Sequence, residues 1–243
     1  MRTLDGVPLD GSDHYRWTIP TPGQPPASVA RPFLEFFAGS PLPEWDSFSR
    51  TIKIIRLRPQ EVLYDVGEDH PYIYIVRRGS MRVGFTDGRG RECLLAFCRP
   101  PDVLASVSAI VPPGLRRLSE IPTGIVKMRA AAGIGVTNSR ASAVEATELE
   151  RLDFRLMERQ MARHATWAMA VYSALVLHTL VKERRERDLL TLSPEERYRQ
   201  FLVDYDDLIG VVPQKDIAGY LGVTPVGLSR IAGRVRNESV TES

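Results

Sequence analysis

The hydrophobic period of this chain changes once, at Asp153, and that change limits the folds open to it. Downstream, residues 154–188 contain no Gly or Pro, and apolar side chains recur at spacings of three and four. Upstream, apolar residues come in short β-rich runs: Ile52, Ile54 and Leu57, then residues 62–64, 72–76, 81–85 and 93–97. Gly67-Glu68-Asp69, Arg78-Gly79-Ser80 and the stretch 86–90 punctuate them, and Asp87-Gly88 is a hairpin signal. A strand pattern returns at 142–152. Strands at this spacing predict an antiparallel sandwich or barrel, followed by helices only.

The chain therefore reads as α+β in four parts. Residues 1–30, rich in Pro, Gly, Asp and Thr, form a flexible N-terminal extension. Residues 31–152 form a β-roll, jelly-roll-like, entered through a short helical region with Phe33, Leu34, Phe36, Phe37, Trp45 and Phe48 on its apolar side. Residues 153–190 form one long helix, capped at its start by Asp153. Residues 191–243 form a smaller helical domain that opens on Ser193-Pro194-Glu195-Glu196, a capping box with Pro at the first helical position. The segment 111–139, with Pro112, Pro113, Gly114, Pro122 and the small-residue run 130–135, is expected to be a long loop over the roll.

A helix of about 35 residues spans roughly 50 Å, more than a small domain needs. Its stripe of Trp167, Val171, Ala174, Leu175, His178 and Val181 is expected to pair with a second copy of the chain. By eye no apolar run approaches the roughly 20 residues needed to cross a bilayer and no secretion signal is visible, so a cytoplasmic protein without a membrane partner is expected.

Function is written most clearly in residues 213–231. Pro213 opens a helix whose Ile217, Ala218 and Leu221 face inward. Gly222 supplies the left-handed backbone of a tight turn. Val223 plugs the core, Thr224 caps a second helix and Pro225 takes its first position. Leu228 and Ile231 anchor that helix on the first. Pro225, Val226, Ser229 and Arg230 are left on the outer face of its N-terminal end, which in a helix-turn-helix enters the major groove of DNA. Arg230 suits guanine O6 and N7, and Val226 a thymine methyl. Gln214, Lys215, Thr224 and Arg234 are placed for phosphates. The net charge of the whole chain is only +2, but residues 211–236 carry four cations against one acid. Gly227 is the weak point, because glycine inside a helix costs about 1 kcal/mol.

From about residue 50 to 236 the sequence resembles the Crp–Fnr superfamily of transcription factors. The resemblance rests on Leu57-Arg58-Pro59-Gln60-Glu61-Val62-Leu63 leading to Val66-Gly67-Glu68, and on the stretch from Ile73 to Val83 through Arg78-Gly79-Ser80. It rests further on Leu192-Ser193-Pro194-Glu195-Glu196-Arg197-Tyr198, and on Asp216-Ile217-Ala218 with Thr224-Pro225-Val226-Gly227-Leu228-Ser229-Arg230-Ile231. It implies a cyclic-nucleotide-binding-type roll, a dimer helix, a winged helix-turn-helix and a palindromic double-stranded DNA operator, with RNA polymerase as a further candidate partner. Only seven residues follow Arg236, so the wing hairpin is expected to be shortened or lost.

The effector site implied by the resemblance is degenerate. Ala105 and Ser106 stand where cyclic-AMP binders have a Gly-Glu pair. Arg140 and Ala141 stand for their Arg-Ser pair. A serine hydroxyl does not replace a carboxylate on a ribose hydroxyl, so tight cyclic AMP binding is not expected and any small-molecule effector is unknown. Cys93 and Cys98 are too few for an iron–sulfur cluster and read as core thiols. His70 reads as a turn residue and His178 as a packed helix residue rather than haem ligands, so no cofactor and no metal site is expected. Neither paired carboxylates nor a nucleophile with its base is visible, and Ser106 and Ser108 have no partner His, so no enzyme is expected. The alternative to a DNA-binding regulator is a β-roll ligand sensor acting through protein partners.

Overall fold

Alternating apolar residues upstream of Asp153 build two antiparallel sheets in the computed structural model, which describes residues 28–112 and 133–241. Two short helices come first, α1 (Ala30–Ala38) and α2 (Trp45–Ser49). Among the described residues eight strands follow: β1 (Lys53–Leu57), β2 (Val62–Tyr64), β3 (Tyr72–Arg78), β4 (Met81–Thr86), β5 (Glu92–Cys98), β6 (Val103–Leu104), β7 (Arg140–Ala143) and β8 (Thr147–Asp153). One sheet has the order β1-β8-β3-β6 and the other β2-β7-β4-β5, with antiparallel pairing throughout. Tyr64, Tyr74, Val76, Met81, Leu104, Ala141, Ala143 and Leu149 fill the space between the sheets. This is the jelly-roll-like arrangement that the short, Gly-punctuated runs predict. The strand pattern expected over 142–152 is two strands, separated by a turn. The expected extension, up to residue 27, and residues 113–132 of the expected loop lie outside the described residues.

Helices follow, as the change of period requires. They are α3 (Phe154–Arg163), α4 (Ala165–Thr191), α5 (Pro194–Asp204), a single 3-10 turn at Asp206–Leu208, α6 (Gln214–Leu221) and α7 (Pro225–Thr241). The Asp153 carboxylate accepts from Arg155 N at 2.9 Å and caps α3. Ser193 and Glu196 form both halves of the capping box of α5.

The single helix expected over 153–190 is instead two, because His164 is extended at φ −137°, ψ 115°. The cause is tertiary. Arg163 donates to both carboxylate oxygens of Glu44 at 2.8 and 2.6 Å, and the His164 ring lies 3.3 Å from the same group. The break lets α4 turn Trp167 and Ala170, both fully buried, into a core shared with Leu34, Trp45, Phe48, Leu152 and Met157. Trp167 stacks on Trp45 at 6.1 Å and donates its indole N–H to Pro43 O at 2.9 Å.

The expected dimer stripe is thus divided. Trp167 is buried and Val171 packs at the edge of the same core, Ala174 and His178 are half-buried, and Leu175 and Val181 are exposed. A second apolar face of α4 is exposed as well, formed by Met169 (50% exposed), Tyr172 (64%), Val176 (38%) and Leu180 (55%). Apolar on both sides, α4 contains an 18-residue window of mean hydropathy 1.2, enough by length and composition to cross a membrane. The run escapes a reading by eye because Ser173, His178 and Thr179 interrupt it. Its inner face is occupied by α1 and the roll.

Candidate nucleic-acid interface

Local chemistry shapes the C-terminal hairpin. α6 ends at Gly222, whose φ of 71° and ψ of 31° form the left-handed turn. Val223 N then donates to Ala218 O at 3.0 Å. The Thr224 hydroxyl accepts from Gly227 N at 3.1 Å and caps α7. Gly227, costly by propensity, has a steric reason: a Cβ there would sit 3.2 Å from Thr224 Oγ1. Leu228, Ile231 and Val235 are buried from α7, and Ile217, Ala218 and Leu221 from α6. After Arg236, where the wing hairpin is expected to be shortened or lost, α7 continues to Thr241.

This packing leaves Pro225, Val226, Ser229 and Arg230 exposed at the N-terminal end of α7, with Val226 63% accessible. Gln214, Lys215 and Thr224 are exposed beside them. The Arg230 guanidinium makes no hydrogen bond or ion pair among the described residues. Arg234 is exposed too, but its Nε donates to Glu195 on α5 at 2.9 Å, so a phosphate there would compete with a carboxylate. Asp216, the one acid of the segment, is turned away from this face. It is 4% exposed and accepts from Arg82 on β4 at 2.9 Å. Burial pushes its carboxyl above the usual carboxylate range, and Arg82 pulls it back. The outward charge of the hairpin is therefore more positive than its sequence total.

The four residues expected at an effector pocket differ in exposure and in partners. Ala141 is fully buried between the sheets. Arg140 is exposed and grips Asp65 with two guanidinium nitrogens, which holds that carboxyl below the usual range. Ser106 is buried: its hydroxyl lies 3.1 Å from that of Ser108 and 3.3 Å from the donating Asn138 N. Ser108 in turn donates to Val136 O at 2.7 Å. Ala105, half-buried, adjoins this network. Segment 133–139 thus occupies the hydrogen-bonding groups of residues 106–108. Cys93 and Cys98 are free thiols, and burial pushes the Cys98 thiol up.

Sequence reasoning missed the residues that seat the hairpin on the roll. Leu94 and Phe97 of β5 share an apolar cluster with Phe201, Leu208, Val212, Ile217, Ala218, Leu221 and Leu228. Arg82, Arg99 and Arg185 reach across the same boundary. Arg82 lies in the stretch from Ile73 to Val83 that carries the family resemblance, but Arg99 and Arg185 stand in no motif, and nothing in the sequence marked any of the three for this contact.

No family model and no curated protein matches the sequence. Solved structures do match in fold. FixK2 from Bradyrhizobium japonicum has a TM-score of 0.58 at 20% identity, over 78% of this chain and 86% of its own. The c-di-GMP responsive global regulator CLP from Xanthomonas campestris has a TM-score of 0.58 at 12% identity, over 80% and 91%. A protein from Eubacterium rectale assigned to the Crp/Fnr family of transcriptional regulators has a TM-score of 0.59 at 15% identity, over 81% and 87%. With two antiparallel sheets, a helix pair and a C-terminal helix-turn-helix in this order, the chain has the fold of the Crp–Fnr transcription regulators.

Proposed function

We propose that the protein is a homodimeric, sequence-specific DNA-binding transcription regulator of the Crp–Fnr type. The observation that carries this reading is the exposed row Pro225, Val226, Ser229 and Arg230 at the Thr224-capped start of α7. A helix end of this kind offers a guanidinium and a small apolar group to base edges, and N–H groups to phosphates. Gln214 and Lys215 supply backbone contacts beside it.

The outward apolar face of α4 supports a dimer. Met169, Tyr172, Val176 and Leu180 form an exposed stripe on a helix that already packs Trp167, Ala170 and Val171 into the core. Twofold pairing along α4 would set two reading helices against successive major grooves. The Asp65–Arg140 pair and the closed Ser106–Ser108–Asn138 network support a regulator that does not use cyclic AMP. The reading involves no catalysis. It places the protein in the cytoplasm, with RNA polymerase as the partner of its regulatory step.

Selection from a random double-stranded pool tests the proposal. The recovered sequences are expected to share an inverted repeat with half-site centres about one helical turn, roughly 34–36 Å, apart. A pool that gains no common sequence contradicts it.

A further inference from the structure

The helix-turn-helix domain joins the rest of the chain covalently at one place, the Leu192–Ser193 link between α4 and α5, where Leu192 is extended. A link of this kind leaves a domain free to pivot unless other contacts hold it. Here three arginines from three separate elements do so.

Arg82 on β4 donates through Nη1 to Asp216 Oδ1 at 2.9 Å and through Nε to Ser142 Oγ at 3.0 Å, with Glu92 3.2 Å away. Arg99, just after β5, donates to Asp204 O at 2.7 Å and pairs with Asp207. Its guanidinium lies 5.3 Å over the Tyr205 ring. Arg185 on α4 donates to Tyr220 O at 2.6 Å and Leu94 O at 3.1 Å, so one guanidinium bridges α6 and β5. It also lies 3.7 Å over the Tyr220 ring. Between them Phe97, Phe201, Tyr205 and Tyr220 pack ring to ring. The α6 backbone comes close enough that a Cβ on Gly219 would stand 3.4 Å from Glu92 O.

We propose that Arg82, Arg99 and Arg185 are positioning residues, which clamp the helix-turn-helix in one orientation on the β-roll and thereby fix the half-site spacing that the dimer accepts. The proposal rests on the DNA-binding reading above. None of the three lies on the exposed face of α7, so they act through Asp216, Tyr205 and Tyr220. A planar guanidinium that donates in fixed directions and stacks on a ring suits this task better than an ammonium. A head free to pivot loses orientational freedom on binding both half-sites, and that loss subtracts from affinity. It also tolerates a wider range of spacings.

Two measurements test the clamp. In the first, spin labels at exposed positions 58 and 229, in a Cys93→Ala, Cys98→Ala background, report the distance between roll and head without DNA. A single narrow distribution is expected, broadened by Arg82→Gln and by the wedge Gly219→Leu. A broad distribution in the unsubstituted head overturns the clamp, whatever the DNA results. In the second, affinity is measured on operators whose spacer is lengthened or shortened by one and two base pairs. The unsubstituted protein is expected to favour one spacing sharply. Arg82→Gln and Arg185→Gln are expected to lose about tenfold there and to flatten the profile, with affinity for an isolated half-site unchanged. Variants that keep the parent spacing profile overturn the proposal. Absence of specific DNA binding in the parent protein, with a narrow distance distribution, overturns the spacing role and the regulator reading while leaving the rigid head intact.

Discussion

The Glu150 carboxylate on β8 accepts from Ala30 N at 2.9 Å and from Val29 N at 2.8 Å, so a strand of the roll caps the first turn of a helix 120 residues earlier. Ser28 donates to the same carboxylate at 2.7 Å, and Arg77 approaches it at 3.5 Å. Glu150 is 1% exposed. A buried carboxylate is tolerated when donors surround it, and here they also orient α1 against α4.

Glu150→Ala leaves the Val29 and Ala30 N–H groups without this acceptor inside the protein. The substitution is expected to cost about 3–5 kcal/mol, and Glu150→Gln about 1–3 kcal/mol, in urea unfolding. A loss below about 0.5 kcal/mol for Glu150→Ala, the usual range for a surface substitution, would remove the strand cap from the account.

The roll should lose stability in mild acid. His70 packs against Tyr64, Tyr72 and Tyr74 and shares a 2.8 Å hydrogen bond with Tyr74 Oη. Burial holds its imidazole below the ordinary value, against the pull of Glu68. His178 is held low as well, by burial and by Lys182. A histidine whose pKa is lowered by folding binds fewer protons in the native state than in the unfolded one. Its stabilising contribution is therefore complete above pH of about 6.5 and is lost as the pH falls through that value, by at most about 1.4 kcal/mol per pH unit for each group. Urea midpoints at pH 7.5 and 5.5 check this. The parent protein should weaken at the lower pH, and His70→Gln should weaken less. An equal or larger drop in His70→Gln contradicts the assignment.

The outward face of α4 makes a prediction of its own. Tyr172→Glu combined with Leu180→Glu puts two carboxylates into the stripe that a partner helix would cover. Sedimentation is expected to give a dimer for the parent chain and a monomer for the variant. Operator affinity should fall with it, because two linked half-site contacts become independent. A dimer that survives both substitutions places the interface elsewhere.

What the sequence disclosed was what local chemistry decides. Asp153, the Ser193–Glu196 box, the Gly222 turn and the Thr224 cap act within four residues of themselves, and each does in the structure what its position suggests. The alternating runs disclosed the roll in the same way. The break at His164 was hidden because its cause, Glu44, lies 120 residues away on another element. Arg140 stood at the position of the family's Arg-Ser pair, and its partner Asp65, 75 residues upstream, was not legible from there. Asp216 counted only as the one acid among four cations of residues 211–236. Its partner Arg82 is 134 residues away. Of the expected dimer stripe, the spacing of three and four was legible, but not which side of α4 the roll would claim.

The central claim is that the N-terminal end of α7 reads base pairs, and Arg230 carries it. The direct measurement is the affinity of Arg230→Ala, beside the parent protein, for a selected operator, for operators changed at each base pair in turn, and for unrelated DNA at the same salt concentration. The account predicts a loss of about 1–3 kcal/mol on the operator, relaxed discrimination at one base pair of each half-site, and little change on unrelated DNA. Equal affinity of the two proteins for the operator, with the same base preferences at every position, would contradict it.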